Sequence, residues 1–152
     1  MTKLTTLVTI LFISFLSTPS WSNSEVDLLE VKLLNNLDDK RGFCIDIKGH
    51  KFRAKISRGV QAHTCYSYQG EIAVDQGLDA NKLKQKKLFF SYFDVCVYPT
   101  SSKNSFNLSL EKCDSTEEFV FSEDNTIRLK NNTNLCLTVA EGNSRKGGGG
   151  SP

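Results

Sequence analysis

Residues 42–46 (Gly-Phe-Cys-Ile-Asp) and 60–65 (Val-Gln-Ala-His-Thr-Cys) decide how this chain is read. The first is a cysteine set in a short apolar run. The second alternates apolar and polar residues and ends on a cysteine. A period of two puts one face against a core and the other in water, as in a half-buried strand. Both shapes return in the same order. Residues 93–98 (Phe-Asp-Val-Cys-Val-Tyr) repeat the first, and residues 108–113 (Leu-Ser-Leu-Glu-Lys-Cys) repeat the second. Residues 134–139 (Asn-Leu-Cys-Leu-Thr-Val) then repeat the first again. The spacing is 21 from Cys44 to Cys65 and 17 from Cys96 to Cys113. Applied to Cys136, it puts a partner cysteine at about 153–157, beyond Pro152. The pattern predicts a third unit that is incomplete within these 152 residues.

Outward from these units the signals weaken. Leu29–Leu33 alternates strictly and reads as an entering strand. A short helix capped by Ser24 competes, because Leu29, Leu33 and Leu37 also share a helical face. Residues 118–121 and 126–129 flank Glu123-Asp124-Asn125, which reads as a hairpin turn. Residues 87–93 form another strand-like run. Short strands between polar turns predict an all-β domain, a small barrel or trefoil. Gly147–Gly150 with Ser151 has the composition of a flexible linker or domain boundary. The preferred reading is a loop between the two cysteine strands of the third unit.

The first residues are expected to be a targeting segment. Lys3 precedes an uncharged run, Leu4–Leu16, and small residues stand at Ser20 and Ser22. Residues 1–22 read as a cleaved signal peptide, with a membrane anchor as the alternative, and 23–152 as one mature domain. The run is too short to span a bilayer, so no membrane span is expected after cleavage. Cleavage removes Lys3 and the only tryptophan, Trp21. Eighteen basic residues then face 17 acidic ones, a balance that gives no general attraction to nucleic acid or membrane. Export implies an oxidising compartment in which cysteines pair. No C-x-x-C pair or zinc-finger spacing appears, so no metal site or cofactor is expected.

Cys44-Ile45-Asp46-Ile47 followed by Val60-Gln61-Ala62-His63-Thr64-Cys65 resembles the ricin-B lectin repeat. That family carries a C-L-D-V strand, a V-x-L-x-x-C strand, a Q-x-W strand and a D-G-x-I hairpin in each repeat of about forty residues. The resemblance covers most of residues 30–145 and implies a β-trefoil of three pseudo-equivalent repeats, the third incomplete. It implies bridges Cys44–Cys65 and Cys96–Cys113, with Cys136 as the first half of a third. Cys96 to Cys136 is 40 residues, but Cys44 to Cys96 is 52, which implies an insertion within residues 75–87. The departures are plain. The second Q-x-W slot reads Glu117-Glu118-Phe119. In the first, Gln69 takes the glutamine position and Glu71 stands where an aromatic is expected.

The resemblance also implies a shallow sugar site. A carboxylate accepts bonds from two hydroxyls, and a flat ring stacks on the C–H face of the pyranose. Carried over position by position, the first repeat supplies Asp46, Gln61, His63 and Gln69, with Tyr66 and Tyr68 nearby. Asp46 is expected at the surface; the alternative is a turn carboxylate capping Lys48–Gly49. The second repeat has Tyr98, Ser109 and Glu111 at these places and reads as inactive, as does Thr138 in the third. The implied function is a non-enzymatic, secreted domain binding glycans or glycoproteins through galactose-like sugars. The alternative is a sugar-inactive trefoil that binds proteins or serves structurally. A Cys–His nucleophile from His63 and Cys65 would need a free thiolate, which a bridged Cys65 lacks. No spacing marks a pair of catalytic carboxylates. Lys82–Lys87 suits sulfated glycans or phosphates, but reads first as a solvated loop.

Overall fold

The structure is a computed structural model that describes residues 26–102, 105–114, 118–139 and 144–147. The expected signal segment, 1–22, and the residues after Gly147 lie outside these. The chain is mostly β, as expected. Its strands are β1 (Leu28–Leu29), β2 (Phe43–Ile47), β3 (Val60–Thr64), β4 (Leu78–Asp79), β5 (Phe89–Phe90) and β6 (Val95–Ser102). They continue as β7 (Ser105–Glu111), β8 (Phe119–Phe121), β9 (Ile127–Leu129), β10 (Asn132–Cys136) and β11 (Ser144–Arg145). The helix α1 (Ala80–Lys84) follows β4, inside the span where an insertion is expected. Asp79 caps it, accepting from the amides of Asn81 at 2.8 Å and Lys82 at 2.9 Å. The ladders are small: β1–β4, β11–β3–β2, β5–β6–β7 and β10–β9–β8. No helix among the described residues is long and apolar enough to cross a membrane.

Residues 29–33 follow the strand reading in part and form no helix: Leu29 lies in β1, and the rest pairs by single contacts. Lys32 bridges to Cys44, and Leu33 donates to the Phe43 carbonyl. The strand-like run 87–93 shortens to Phe89–Phe90, because the chain turns at Ser91–Asp94. The hairpin at Glu123-Asp124-Asn125 forms between β8 and β9, with Asn125 at φ 62° supplying the left-handed turn residue.

The repeated cysteine units become matching hairpins. In β2–β3, Cys44 stands opposite His63 and Asp46 opposite Gln61. In β6–β7, Cys96 stands opposite Glu111 and Tyr98 opposite Ser109. Each is closed by a disulfide, Cys44–Cys65 and Cys96–Cys113, as the resemblance implied. Cys136 is free and exposed. A second pattern recurs at all three leading cysteines. Cys44, Cys96 and Cys136 pair across to Lys32, Phe89 and Arg128. The next residue in each case donates its amide back to the segment paired with it: Ile45 to Val31, Val97 to Leu88, Leu137 to Ile127.

The core gathers Ile47, Leu78, Leu88, Phe90, Val95, Val97, Phe119 and Leu129, with half-buried side chains packed around them. Phe43 and the Cys44–Cys65 bridge are buried beside the hairpin base. The bridge closes a 21-residue span, so replacing Cys44 and Cys65 together by serine should cost about 3 kcal/mol. Urea unfolding checks this. A midpoint equal to wild type would mean that the bridge adds nothing to the ladder around it.

Candidate functional site

The hairpin β2–β3 and the turn at residues 74–76 bring a polar cluster together. The turn is held against β2 by the Ile47 amide, which donates to the Asp75 carbonyl at 2.9 Å. Asp46 points into this junction and is 1% exposed. This corrects the expectation of a surface carboxylate. Its Oδ1 accepts from Gln61 Nε2 at 2.7 Å, and its Oδ2 from Gln76 Nε2 at 3.1 Å. It does not cap the Lys48–Gly49 turn either: the Lys48 amide goes to the Gly59 carbonyl.

Gln76 is the residue that sequence reasoning missed. It is fully buried, donates also to the Thr64 carbonyl at 3.1 Å, and accepts from the Tyr66 amide at 3.0 Å. Gln69, placed in the glutamine slot from sequence, lies exposed on a short 3-10 turn and donates to the Tyr68 hydroxyl. The structure does not bring Gln69 to Asp46 by any bond. The missed signal was Gln76-Gly77-Leu78: a glutamine two places before an apolar residue, with Leu78 fully buried.

His63 is half-buried, with its Nδ1 3.0 Å from the Thr64 carbonyl. Its ring stacks on Tyr66, centroids 5.5 Å apart and planes 28° apart. Lys51 Nζ lies 5.9 Å from the Tyr66 centroid. Asp75 is also buried; its Oδ2 accepts from the Lys51 amide at 2.5 Å, while its Oδ1 has no hydrogen-bond partner among the described residues. A buried carboxyl without full pairing favours its neutral form. Burial pushes Asp46 up to about 7, helped by the nearby Asp75 charge and opposed by the two amides. Asp75 is raised by burial against the Lys51 amide. Tyr66 is pushed up to about 12 by burial and then by both carboxylates.

The far edge of β3 is covered. β11 runs parallel to it, and the Gly147 amide donates to Thr64 Oγ1 at 3.0 Å. Arg41, paired with Asp39 and lying over the Tyr68 ring, donates to the Gly147 carbonyl at 3.2 Å. A Cβ at position 147 would fall 2.8 Å from His63 Cε1, so glycine allows the chain to pass the ring this closely.

Among the described residues, the second hairpin carries no such cluster. Tyr98 exchanges bonds with Asp114, and Ser109 donates to Glu111. Its strands present no buried carboxylate at the place of Asp46. The first hairpin thus combines oriented amides, a ring stack and one overhanging cation. That combination suits holding a polyhydroxylated ligand. Cys65 is bridged and offers no thiolate. No family model matches the chain, and no curated protein or solved structure matches it.

Proposed function

We propose that the chain is an extracellular sugar-binding domain, a β-trefoil of the ricin-B kind, taking galactose-like sugars at the β2–β3 hairpin. The observation that carries this reading is the backbone bond recurring at the residue after each leading cysteine, Ile45, Val97 and Leu137. Leu78 and Phe119, buried after each bridged hairpin, fit the place of the repeat's core plug. The two disulfides suit an oxidising compartment. In the site, His63 and Tyr66 offer the flat face. Gln61, oriented by Asp46, offers its remaining amide groups to hydroxyls. Asp46 acts as a positioning residue beneath it. The sealing of both Asp46 oxygens by the protein's own amides favours the second reading, a protein-binding trefoil without a sugar site.

NMR titration with galactose, N-acetylgalactosamine and lactose separates the two. Binding in the millimolar range, about 4 kcal/mol, is expected for one shallow site. His63→Ala should weaken it about three- to tenfold by removing half of the ring stack. Glu111→Ala, at the matching place of the second hairpin, should change nothing. If no sugar moves the His63 or Tyr66 resonances in the wild type, the protein-binding reading takes over.

A further inference from the structure

Two basic runs flank the described site. Lys82–Lys87 engages its own fold: Lys86 Nζ lies 5.1 Å over the Phe121 ring, and Lys87 donates to the Asp114 carbonyl. The other run is the tip of the β2–β3 hairpin. Residues 48–58 hold Lys48, Lys51, Arg53, Lys55 and Arg58 and no acidic residue. The whole chain carries +2, so everything outside this tip sums to −3. The positive charge is gathered on eleven residues. None of the five cations forms an ion pair among the described residues.

The tip is built rather than loose. The Lys48 amide donates to Gly59, Lys55 to Lys48, Ala54 to Lys51 and Arg58 to Lys55, all carbonyls within 3.2 Å. Ala54 is buried, and a Cβ at Gly49 (φ +155°) would meet Ala54 Cα at 2.3 Å. Outward stand Phe52, 63% exposed, and Ile56, 44% exposed. The Arg53 guanidinium lies 5.9 Å from the Phe52 ring centre. The tip also joins the site. Lys51 is fixed through its amide to Asp75, and its ammonium overhangs Tyr66, which stacks on His63.

We infer that the glycan taken at this hairpin is acidic, bearing sulfate or carboxylate groups that the Lys48–Arg58 tip holds while the His63–Tyr66 stack holds a sugar face. This rests on the sugar-binding reading above. The backbone of the tip needs no ordering on binding, and ammonium or guanidinium bonds to sulfate are charge-assisted. Phe52 adds an apolar face beside them.

The test measures binding of a sulfated galactan hexasaccharide, its desulfated counterpart, galactose, short single-stranded DNA and phosphatidylserine vesicles. Calorimetry at about 50 and about 200 mM salt gives the screening. The sulfated sugar should bind roughly tenfold more tightly than the desulfated one at low salt, and that advantage should shrink at high salt. The variant Lys51→Ala/Arg53→Ala/Lys55→Ala should lose the advantage and keep its unfolding midpoint, because all three side chains are exposed. Equal affinity for sulfated and desulfated sugar overturns the inference and leaves the sugar-binding reading standing. So does a triple variant that keeps the advantage. A wild type that ignores galactose and the desulfated sugar but takes the sulfated one refutes the ring-stack site and keeps the role of the tip. DNA or vesicles bound as tightly as the sulfated galactan overturn it in favour of a general anionic-surface binder.

Discussion

Phe119→Ala should lower the unfolding free energy by about 3–5 kcal/mol. Phe119 is 2% exposed on β8 and belongs to the same buried cluster as Leu78, Leu88, Phe90, Val97 and Leu129. Removing its ring forfeits the transfer energy of the ring and leaves a void that neighbours from several strands cannot collapse into. Leu78→Ala should cost about 2–5 kcal/mol for the same reason, since Leu78 is fully buried in the same cluster. Val120 is the internal control. It is the next residue on β8, points to the other face and is 36% exposed. Val120→Ala should stay within about 0.5 kcal/mol. Urea denaturation of the three variants decides. A Phe119→Ala cost near that of Val120→Ala would show that β8 does not anchor the core.

Asp46 should make the domain lose stability as pH rises from about 4 to about 7. Its carboxyl lies well above its ordinary value in the folded chain, at about 7. The fold therefore favours its protonated form. That contribution is complete below the unfolded value, near 4, and is lost as pH climbs through about 7. At about 1.4 kcal/mol per pH unit, the window is worth about 4 kcal/mol. Asp75 is raised in the same direction and adds a loss of the same sign. Asp38, Asp39 and Asp124 are lowered by Lys146, Arg41 and Thr126 with Arg128, and their contributions are lost only on acidification below about 4. The two effects occupy separate pH ranges. Asp46→Asn should flatten the slope between pH 4 and 7 and leave the residual slope of Asp75. It should also destabilise at pH 4, because its amide meets the donor groups of Gln61 and Gln76. Thermal unfolding at half-unit steps reads this directly. A variant with the wild-type slope would place the titration elsewhere.

The hairpins were legible because their cues are local. Cysteine spacing and period-two alternation fall within runs of six residues, and β2–β3 and β6–β7 fold on them. The turn at Glu123–Asn125 was legible for the same reason. Asp46, Gln61 and His63 were singled out through the repeat, and Asp46 and Gln61 face each other across the ladder. What failed was depth and long-range pairing. An aspartate beside Lys48-Gly49-His50 looks solvated in sequence. Only the packing of the 74–76 turn against β2 buries it. Gln69 and Gln76 are both glutamines after Cys65, and local pattern favoured the nearer one. Leu78 lacks the aromatic that would have marked Gln76-Gly77-Leu78. Residues 80–84 carry Leu83 alone as a large apolar side chain, too little for a helical period to show.

The Cys44–Cys65 staple closes one end of the β2–β3 ladder, and the basic tip caps the other. The ladder has five rungs, from Phe43 opposite Thr64 to Ile47 opposite Val60, and Cys44 sits on the second. At about 3.4 Å per residue the tip starts about 14 Å from the covalent tie. The Ala54 methyl, the Lys51 amide and the Lys51 ammonium over Tyr66 reach back into the body. The hairpin is in this sense a socket, with its mount at the stapled end and its fitting at the other. A fitting of different length or opposite sign could be exchanged between Ile47 and Val60 without reworking the mount. Under the proposed function, binding preference would then drift by rewriting a few exposed residues, while the stapled rungs and the Phe119 core stay as they are.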